Sequence, residues 1–158
     1  MTQFTKHRKL SVSWVLVNEL AVGPAPTSSQ HIEDLKHQGL RSILSLCSEE
    51  EAPPPDDLQI NFIHKRIVLP DHRTGRLPQL EELKQALVVL SELIDQHGPV
   101  YVHCVAAVER SPLLCMGWMV HRHKLNPNTA LEYLMQVHPR TNPLPGQLAL
   151  LSHPNFIL

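Results

Sequence analysis

A helix that is apolar on nearly every side constrains this chain more than any other feature. Leu113, Leu114, Met116, Trp118, Met119 and Val120 follow Ser111-Pro112, and a helix without a polar face has to run through a core rather than lie on its surface. Proline near its start suits the first turn, where a missing N–H costs nothing. Just upstream, Val100 to His103 is a short apolar strand, so the chain passes from one buried element to another through the loop Cys104 to Arg110. Covering such a helix needs further layers, and 158 residues with 42% apolar content suffice for one domain.

Those layers are legible along the chain. Val12 to Val17 reads as a strand, and Leu20 to Pro24 as a second strand or its continuation, ended by the Gly-Pro pair. Ser28 or Ser29 caps a helix through Gln38, with Ile32 and Leu35 on its buried side and Gly39 as its stop. Ser42 to Cys47 is a buried strand, Ser48 to Asp57 an acidic, proline-rich exposed loop, and Ile60 to Leu69 a return to the sheet. After the polar loop Pro70 to Pro78, Leu80, Leu83, Leu87, Leu90 and Ile94 share one helix face, and Gly98-Pro99 ends that helix. A last full helix starts at Asn126-Pro127, carries Ala130, Leu131, Leu134 and Val137, and stops at Pro139. Strands alternating with helices predict an α/β fold with a mainly parallel central sheet flanked by helices on both faces. The expected organisation is a single domain over residues 1–158, with residues 1–10 as a flexible leader.

Charge narrows the function. With 14 Lys+Arg against 15 Asp+Glu, no broad basic field gathers nucleic acid or an anionic membrane, so anion recognition has to be built locally. Lys6, Arg8 and Lys9 before Leu10 to Val17 look like the start of an export signal, but Asn18 and Glu19 cut the apolar run far short of a bilayer span. Cysteines at 47, 104 and 115 are too few for a disulfide scaffold or a four-ligand zinc site. Of the histidines only His121 and His123 lie close together, with no carboxylate or thiol at a ligand spacing. The expectation is a cytoplasmic monomer that uses no metal or cofactor.

The loop His103-Cys104-Val105-Ala106-Ala107-Val108-Glu109-Arg110-Ser111-Pro112 is the candidate site. Between a buried strand and a buried helix, successive amide N–H groups can curl around an anion while the helix N-terminus adds partial positive charge. A cysteine at the start of such a cradle is favoured as thiolate. An arginine at its end offers paired donors for two phosphate oxygens and for charge that spreads in a transition state.

These residues resemble the signature of the cysteine-dependent protein tyrosine phosphatase superfamily, in its dual-specificity branch: His-Cys, five residues, then Arg-Ser and often Pro, here His103, Cys104, Arg110, Ser111 and Pro112. The resemblance implies that His103 braces the loop, Cys104 forms a phosphocysteine, Arg110 clamps phosphate and Ser111 assists departure of the thiolate. Val105, Ala106, Ala107, Val108 and Glu109 would then supply the substrate-binding amides. A proton donor has to come from outside the cradle. Asp71, in Pro70-Asp71-His72 one helix before the catalytic strand, matches the mobile acid loop of the family, with Asp56 and Asp57 as weaker choices. Leu46-Cys47 and Pro78-Gln79-Leu80 look like the phosphatase-and-tensin type, which implies Cys47 as a possible redox partner of Cys104, against the plainer reading of a small buried residue.

One position departs from the family, which usually has glycine where this chain has Ala107; a left-handed backbone there would cost about 1–2 kcal/mol. Cys115, inside the apolar helix, reads as packing. Arg73, Arg76 and Arg140 read equally as substrate anchors or solvated charge. Asn142 and Gln147 follow the last full helix, on a loop and turn that could reach the cradle without any pattern that requires it. Because Val105, Ala106 and Glu109 bring no cation into the loop, the expected substrate is a phosphomonoester of low charge on protein, phosphotyrosine or phosphoserine/threonine. A phosphate-binding pseudophosphatase, a phosphoinositide phosphatase and a rhodanese-like sulfurtransferase are the alternatives.

Overall fold

The computed structural model describes residues 8–156. In chain order these form β1 (Ser13–Leu16), β2 (Leu20–Gly23), α1 (Ser29–His37), β3 (Ser42–Ser45), α2 (Leu58–Asn61), β4 (Ile63–Arg66), α3 (Leu80–His97), β5 (Val100–His103), α4 (Arg110–Arg122), α5 (Pro127–Val137) and α6 (Pro145–Leu151), with a 3-10 turn at His72–Thr74. The strands make one sheet in the order β1-β2-β5-β3-β4. β2, β5, β3 and β4 run parallel, as expected, while β1 turns back antiparallel onto β2 and makes the sheet mixed. Asn18 makes that reversal, with φ of 62°, a conformation that asparagine tolerates better than most residues.

Helices cover both faces. On one, Ala21, Ile43 and Tyr101 pack with Ile32 and Leu35 of α1 and Leu58 of α2. On the other, Val22, Leu44, Val100 and Val102 pack with Leu83, Leu87 and Leu90 of α3 and with α4. Every residue of α4 from Arg110 to Met119 is buried. Gly117 is part of the reason the far side of α4 can be covered, since a side chain there would meet Phe156 at 3.2 Å and Leu151 at 3.7 Å. Among the described residues no helix is long and apolar enough to cross a membrane.

Two elements differ from the sequence expectation. The strand expected over 60–69 is reduced to β4, because Leu58 draws residues 58–61 into a turn of helix against α1. After Pro139 the chain forms α6, where the Gln147 side chain accepts from Leu144 N–H at 2.7 Å and Leu151 is buried. Of the expected leader, residues 1–7 lie outside the described residues, while Leu10 is buried in the α1 cluster. Its N–H donates to Asp34 at 3.0 Å.

The start of α3 is fixed by charge. The Glu82 carboxylate accepts from Gln79 N–H at 2.9 Å and from both terminal nitrogens of Arg76 at 2.7 and 2.9 Å. Arg76 first and then the Gln79 amide, against the opposing effect of burial, pull its pKa down to about 2. A depressed carboxylate stabilises the fold above the ordinary carboxylate range and loses that contribution as pH falls through its folded value. Glu82→Gln should therefore lower Tm by about 1–3 °C at neutral pH. The difference from wild type, measured by thermal melts, should close between the ordinary carboxylate range and about pH 2.

Candidate active site

β5, the central strand, delivers Cys104 to the carboxyl end of the sheet and α4 carries Arg110 and Ser111 away from it, so the intervening loop is anchored at both ends by buried elements. What shapes it is the direction of its carbonyls. The Cys104 carbonyl accepts from His103 Nδ1 at 2.8 Å, that of Val105 from Ala25 N–H at 3.1 Å, that of Ala107 from His138 Nε2 at 2.6 Å and that of Val108 from Asn142 N–H at 2.8 Å. The Glu109 carbonyl takes the first helical bond, from Leu113 N–H at 2.9 Å. A trans peptide points its N–H opposite to its carbonyl, so these five bonds turn the amides of Val105, Ala106, Val108, Glu109 and Arg110 the other way. Those residues, with Cys104, Asp71, His72 and Arg73, line a cleft of about 320 Å³. A donor-lined concavity at a helix N-terminus is an anion site.

Cys104 is 4% exposed and Ser111 fully buried; Cys104 Sγ and Ser111 Oγ share a hydrogen bond at 3.2 Å. Arg110, also 4% exposed, is held by several acceptors. Its NH1 donates to Leu46 O at 3.3 Å, Leu69 O at 3.0 Å and Glu51 Oε2 at 3.2 Å, and its NH2 to Glu51 Oε1 at 2.9 Å. These partners occupy the NH1 end of the guanidinium and leave its Nε–H, with one NH2 hydrogen, for an oxyanion. Burial alone would lower the Arg110 pKa, but the Glu51 bond and the neighbouring Cys104 and Asp71 outweigh it and hold the cation.

Asp71 sits across the cleft, 3.8 Å from Arg110 NH2. Its carboxylate accepts from Arg73 at 2.6 and 2.8 Å through the guanidinium and at 3.2 Å from the Arg73 N–H. Burial pushes the carboxyl up, but the Arg73 bonds and the Arg110 field together bring it below its ordinary value. His72 ties this loop to the cradle: its Nδ1 lies 2.9 Å from Asp71 Oδ1 and 2.6 Å from Glu109 Oε2. Glu109 Oε1 in turn accepts from the buried Gln147 Nε2 at 3.2 Å. Asp71, His72 and Glu109 bring three possible metal-ligand atoms within 4.8 Å of one another, and here they satisfy each other as hydrogen-bond partners.

A family model, "Dual specificity phosphatase, catalytic domain", matches residues 22–154. The chain belongs to the dual specificity phosphatase family. The human "Dual specificity protein phosphatase 9" is 25% identical over 128 residues, 81% of this chain and 32% of that protein. The Arabidopsis thaliana "Phosphatidylglycerophosphate phosphatase PTPMT1" is 24% identical over 128 residues, 80% of this chain and 38% of that protein. The chain thus spans about a third of the length of these relatives. Among solved structures, Tk-PTP in its active form superposes with a TM-score of 0.77 at 18% identity, over 90% of this chain and 94% of that one, which shows the same fold.

Most residues proposed from sequence meet at this dual specificity phosphatase cleft: Cys104, Val105, Ala106, Val108, Glu109, Arg110 and Asp71. His103 and Ser111 lie behind it. Ala107, expected among the substrate-binding residues, does not line the cleft; it is fully buried, with its carbonyl turned to His138. Asp56 and Asp57 lie away from the cleft, before α2. Arg73 reaches the cleft, whereas Arg76 is paired with Glu82 and Arg140 is exposed. Cys47 is a fully buried thiol among Ala25 and Ala52. Burial first, with Glu51, pushes the Cys47 thiol up against the opposing fields of Arg110 and Arg66. Asn142 and Gln147, on the loop and turn expected to be able to reach the cradle, do reach it, at the Val108 carbonyl and at Glu109, whereas Glu51 and His138 were not read from sequence. Only the acidic character of the 48–57 loop hinted at Glu51, and nothing local marked His138.

Ala107 has φ of 59°, the left-handed conformation that glycine adopts freely. Ala107→Gly relieves about 1–2 kcal/mol of strain. Against that it frees the unfolded chain by about 0.4–1 kcal/mol and removes a buried methyl worth about 0.8 kcal/mol. Chemical denaturation should therefore find the two forms within about 1 kcal/mol of each other.

Proposed function

We propose that this chain is a cysteine-dependent phosphatase that hydrolyses phosphate monoesters on protein, at phosphotyrosine or phosphoserine/threonine, through a phosphocysteine intermediate. The observation that carries the reading is the set of outward-bonded carbonyls, which turns the loop amides toward the cleft shared by Cys104 and the open edge of Arg110. In the first step Cys104 Sγ bonds to phosphorus, the ester oxygen departs with the phosphorus–oxygen electron pair, and Asp71 gives that oxygen its proton. In the second a water oxygen bonds to phosphorus, Asp71 takes the water proton, and the sulfur leaves as thiolate, accepting a hydrogen bond from Ser111. The amides and Arg110 hold the equatorial oxygens throughout, so their contribution is positioning and charge stabilisation.

Asp71 has to be protonated for the first step although Arg73 and Arg110 favour its ionised form. A phosphate dianion beside Arg110 offsets that cation and raises the Asp71 pKa, so the acid is armed by the substrate it serves. Arg73 works in the opposite direction. A resolving role for Cys47 would require its thiolate, which burial opposes, so this reading assigns it to packing. The need to keep Cys104 reduced supports the reading of a cytoplasmic enzyme.

The substrate preference is supported by Val105, Ala106 and Val108, which line the cleft and add no cation to the loop beside Arg110. Arg73 at the mouth favours a second reading, a phosphorylated lipid headgroup, in line with the name of the Arabidopsis relative. A panel of phosphotyrosine peptide, phosphoserine peptide and phosphoinositide decides between them; turnover of the lipid alone would overturn the protein reading.

Cys104→Ser should abolish hydrolysis of p-nitrophenyl phosphate while phosphopeptide binding persists, and full turnover by that variant would refute the mechanism. Asp71→Asn should cost about 10²–10⁴-fold in kcat and flatten the alkaline limb of the pH profile. Arg73→Ala removes the guanidinium that contributes most to lowering the Asp71 pKa, so the alkaline limb of kcat/KM should move to higher pH. An unmoved limb would remove Asp71 from the acid role.

A further inference from the structure

The bond from His103 Nδ1 to the Cys104 carbonyl fixes the first peptide of the cradle, and His103 is not alone in making it. Its other ring nitrogen, Nε2, lies 2.6 Å from Ser45 Oγ on the neighbouring strand β3, where Ser45 and His103 are register partners. Ser45 Oγ lies in turn 2.8 Å from His64 Nε2 on β4. Three adjacent parallel strands thus carry one unbroken chain of hydrogen bonds from the sheet edge to the nucleophile's own carbonyl.

The direction of that chain follows from its end. A carbonyl only accepts, so His103 carries its proton on Nδ1, and burial first of all holds the ring neutral, its pKa pushed down to about 4. Nε2 is then a bare lone pair, which Ser45 fills by donating its O–H. The Ser45 oxygen, its proton committed, accepts from His64 Nε2–H. The reverse order would set an imidazole lone pair against the Cys104 carbonyl oxygen at 2.8 Å, two acceptors face to face. Ser45 is a buried hydroxyl between apolar neighbours, fully buried as are Leu44 and Leu46.

We infer that Ser45 and His64 are positioning residues for the phosphate cradle: donating in series, they select the His103 tautomer that pins the Cys104 carbonyl and so aims the Val105 N–H at the bound phosphate. Without the Ser45 hydroxyl, the proton of His103 is free to move to Nε2. The Cys104 carbonyl then loses its donor, and the first peptide of the loop is free to rotate. His64 acts one step further out. Its ring is half-buried, beside a cleft of about 240 Å³ lined by Pro54, Pro55, Asp56, Leu58 and Gln59, and it supplies the donor that keeps Ser45 facing His103.

The inference rests on the phosphate-cradle reading, and its test is chosen to stand apart from turnover. Long-range proton–nitrogen NMR of the histidine rings should show His103 of the wild type as the Nδ1–H tautomer, and Ser45→Ala should convert part of it to Nε2–H. Ser45→Ala should weaken inorganic phosphate binding and p-nitrophenyl phosphate kcat/KM by about 3- to 10-fold, the size of one hydrogen bond. Ser45→Thr, which keeps the hydroxyl, should recover most of the loss. His64→Leu should lose less than Ser45→Ala, with His64→Gln recovering through its side-chain N–H. An Nε2–H ring in the wild type would overturn the relay even if no variant folded, and so would a Ser45→Ala protein with unchanged spectrum and phosphate affinity. A wild type that binds phosphate without turnover would sink the phosphatase reading instead, leaving the tautomer to decide the relay.

Discussion

The site depends on carbonyls bonded away from it. A loop that presents consecutive N–H groups to an anion has to place the attached carbonyls somewhere, and a buried carbonyl without a donor costs about 1–3 kcal/mol. Here the five outward carbonyls find donors from different parts of the chain: His103 from β5, Ala25 after β2, His138 after α5, Asn142 before α6 and Leu113 in α4. The anion cradle is therefore a property of the whole fold. Remote segments act on phosphate only through the direction they impose on a peptide plane.

The same logic governs the charges. A buried guanidinium left unpaired would be among the most destabilising groups in the molecule, since breaking such a pair costs about 3–5 kcal/mol. Glu51 solves this by occupying one end of Arg110 and leaving the other edge open. Phosphate then completes a coordination that is already oriented, so little side-chain ordering remains for the moment of binding. The arrangement also explains why an acidic loop can border an anion site without repelling its ligand. Glu51 is spent on Arg110, Glu109 on His72 and Gln147, and Asp71 on Arg73.

Sequence periodicity revealed what depends on local burial. The apolar helix α4, the strand before it and the amphipathic α3 were readable because their side chains report their surroundings residue by residue. Cys104, Arg110 and Ser111 were readable because strand, loop and helix follow one another without interruption, and Asp71 because its loop comes one helix earlier. Glu51, His138, Ser45 and His64 were not, because each acts through a contact spanning at least 19 positions in sequence, and no local pattern encodes such a partner. Helix α6 was hidden for a related reason. Pro145-Gly146 looks like a turn until Leu151 and Gln147 are seen to be buried.

Ala107 shows how these long-range contacts relax a local rule. A left-handed alanine costs about 1–2 kcal/mol, enough to shift an isolated loop into another conformation but not a loop whose neighbours are held on both sides. The carbonyl of Ala107 itself is bonded to His138, and the other face of that ring lies 2.8 Å from Ser13 Oγ on β1. Since a carbonyl only accepts, His138 donates through Nε2, as His103 donates to a loop carbonyl at the other end of the cradle. Two imidazoles, each also bonded to a serine on a neighbouring element, thus hold the two peptide planes that frame the cradle. With the loop fixed that firmly, the missing glycine costs strain energy rather than shape. The part left to respond to substrate is the exposed loop carrying Asp71, which is joined to the cradle through His72 and Glu109.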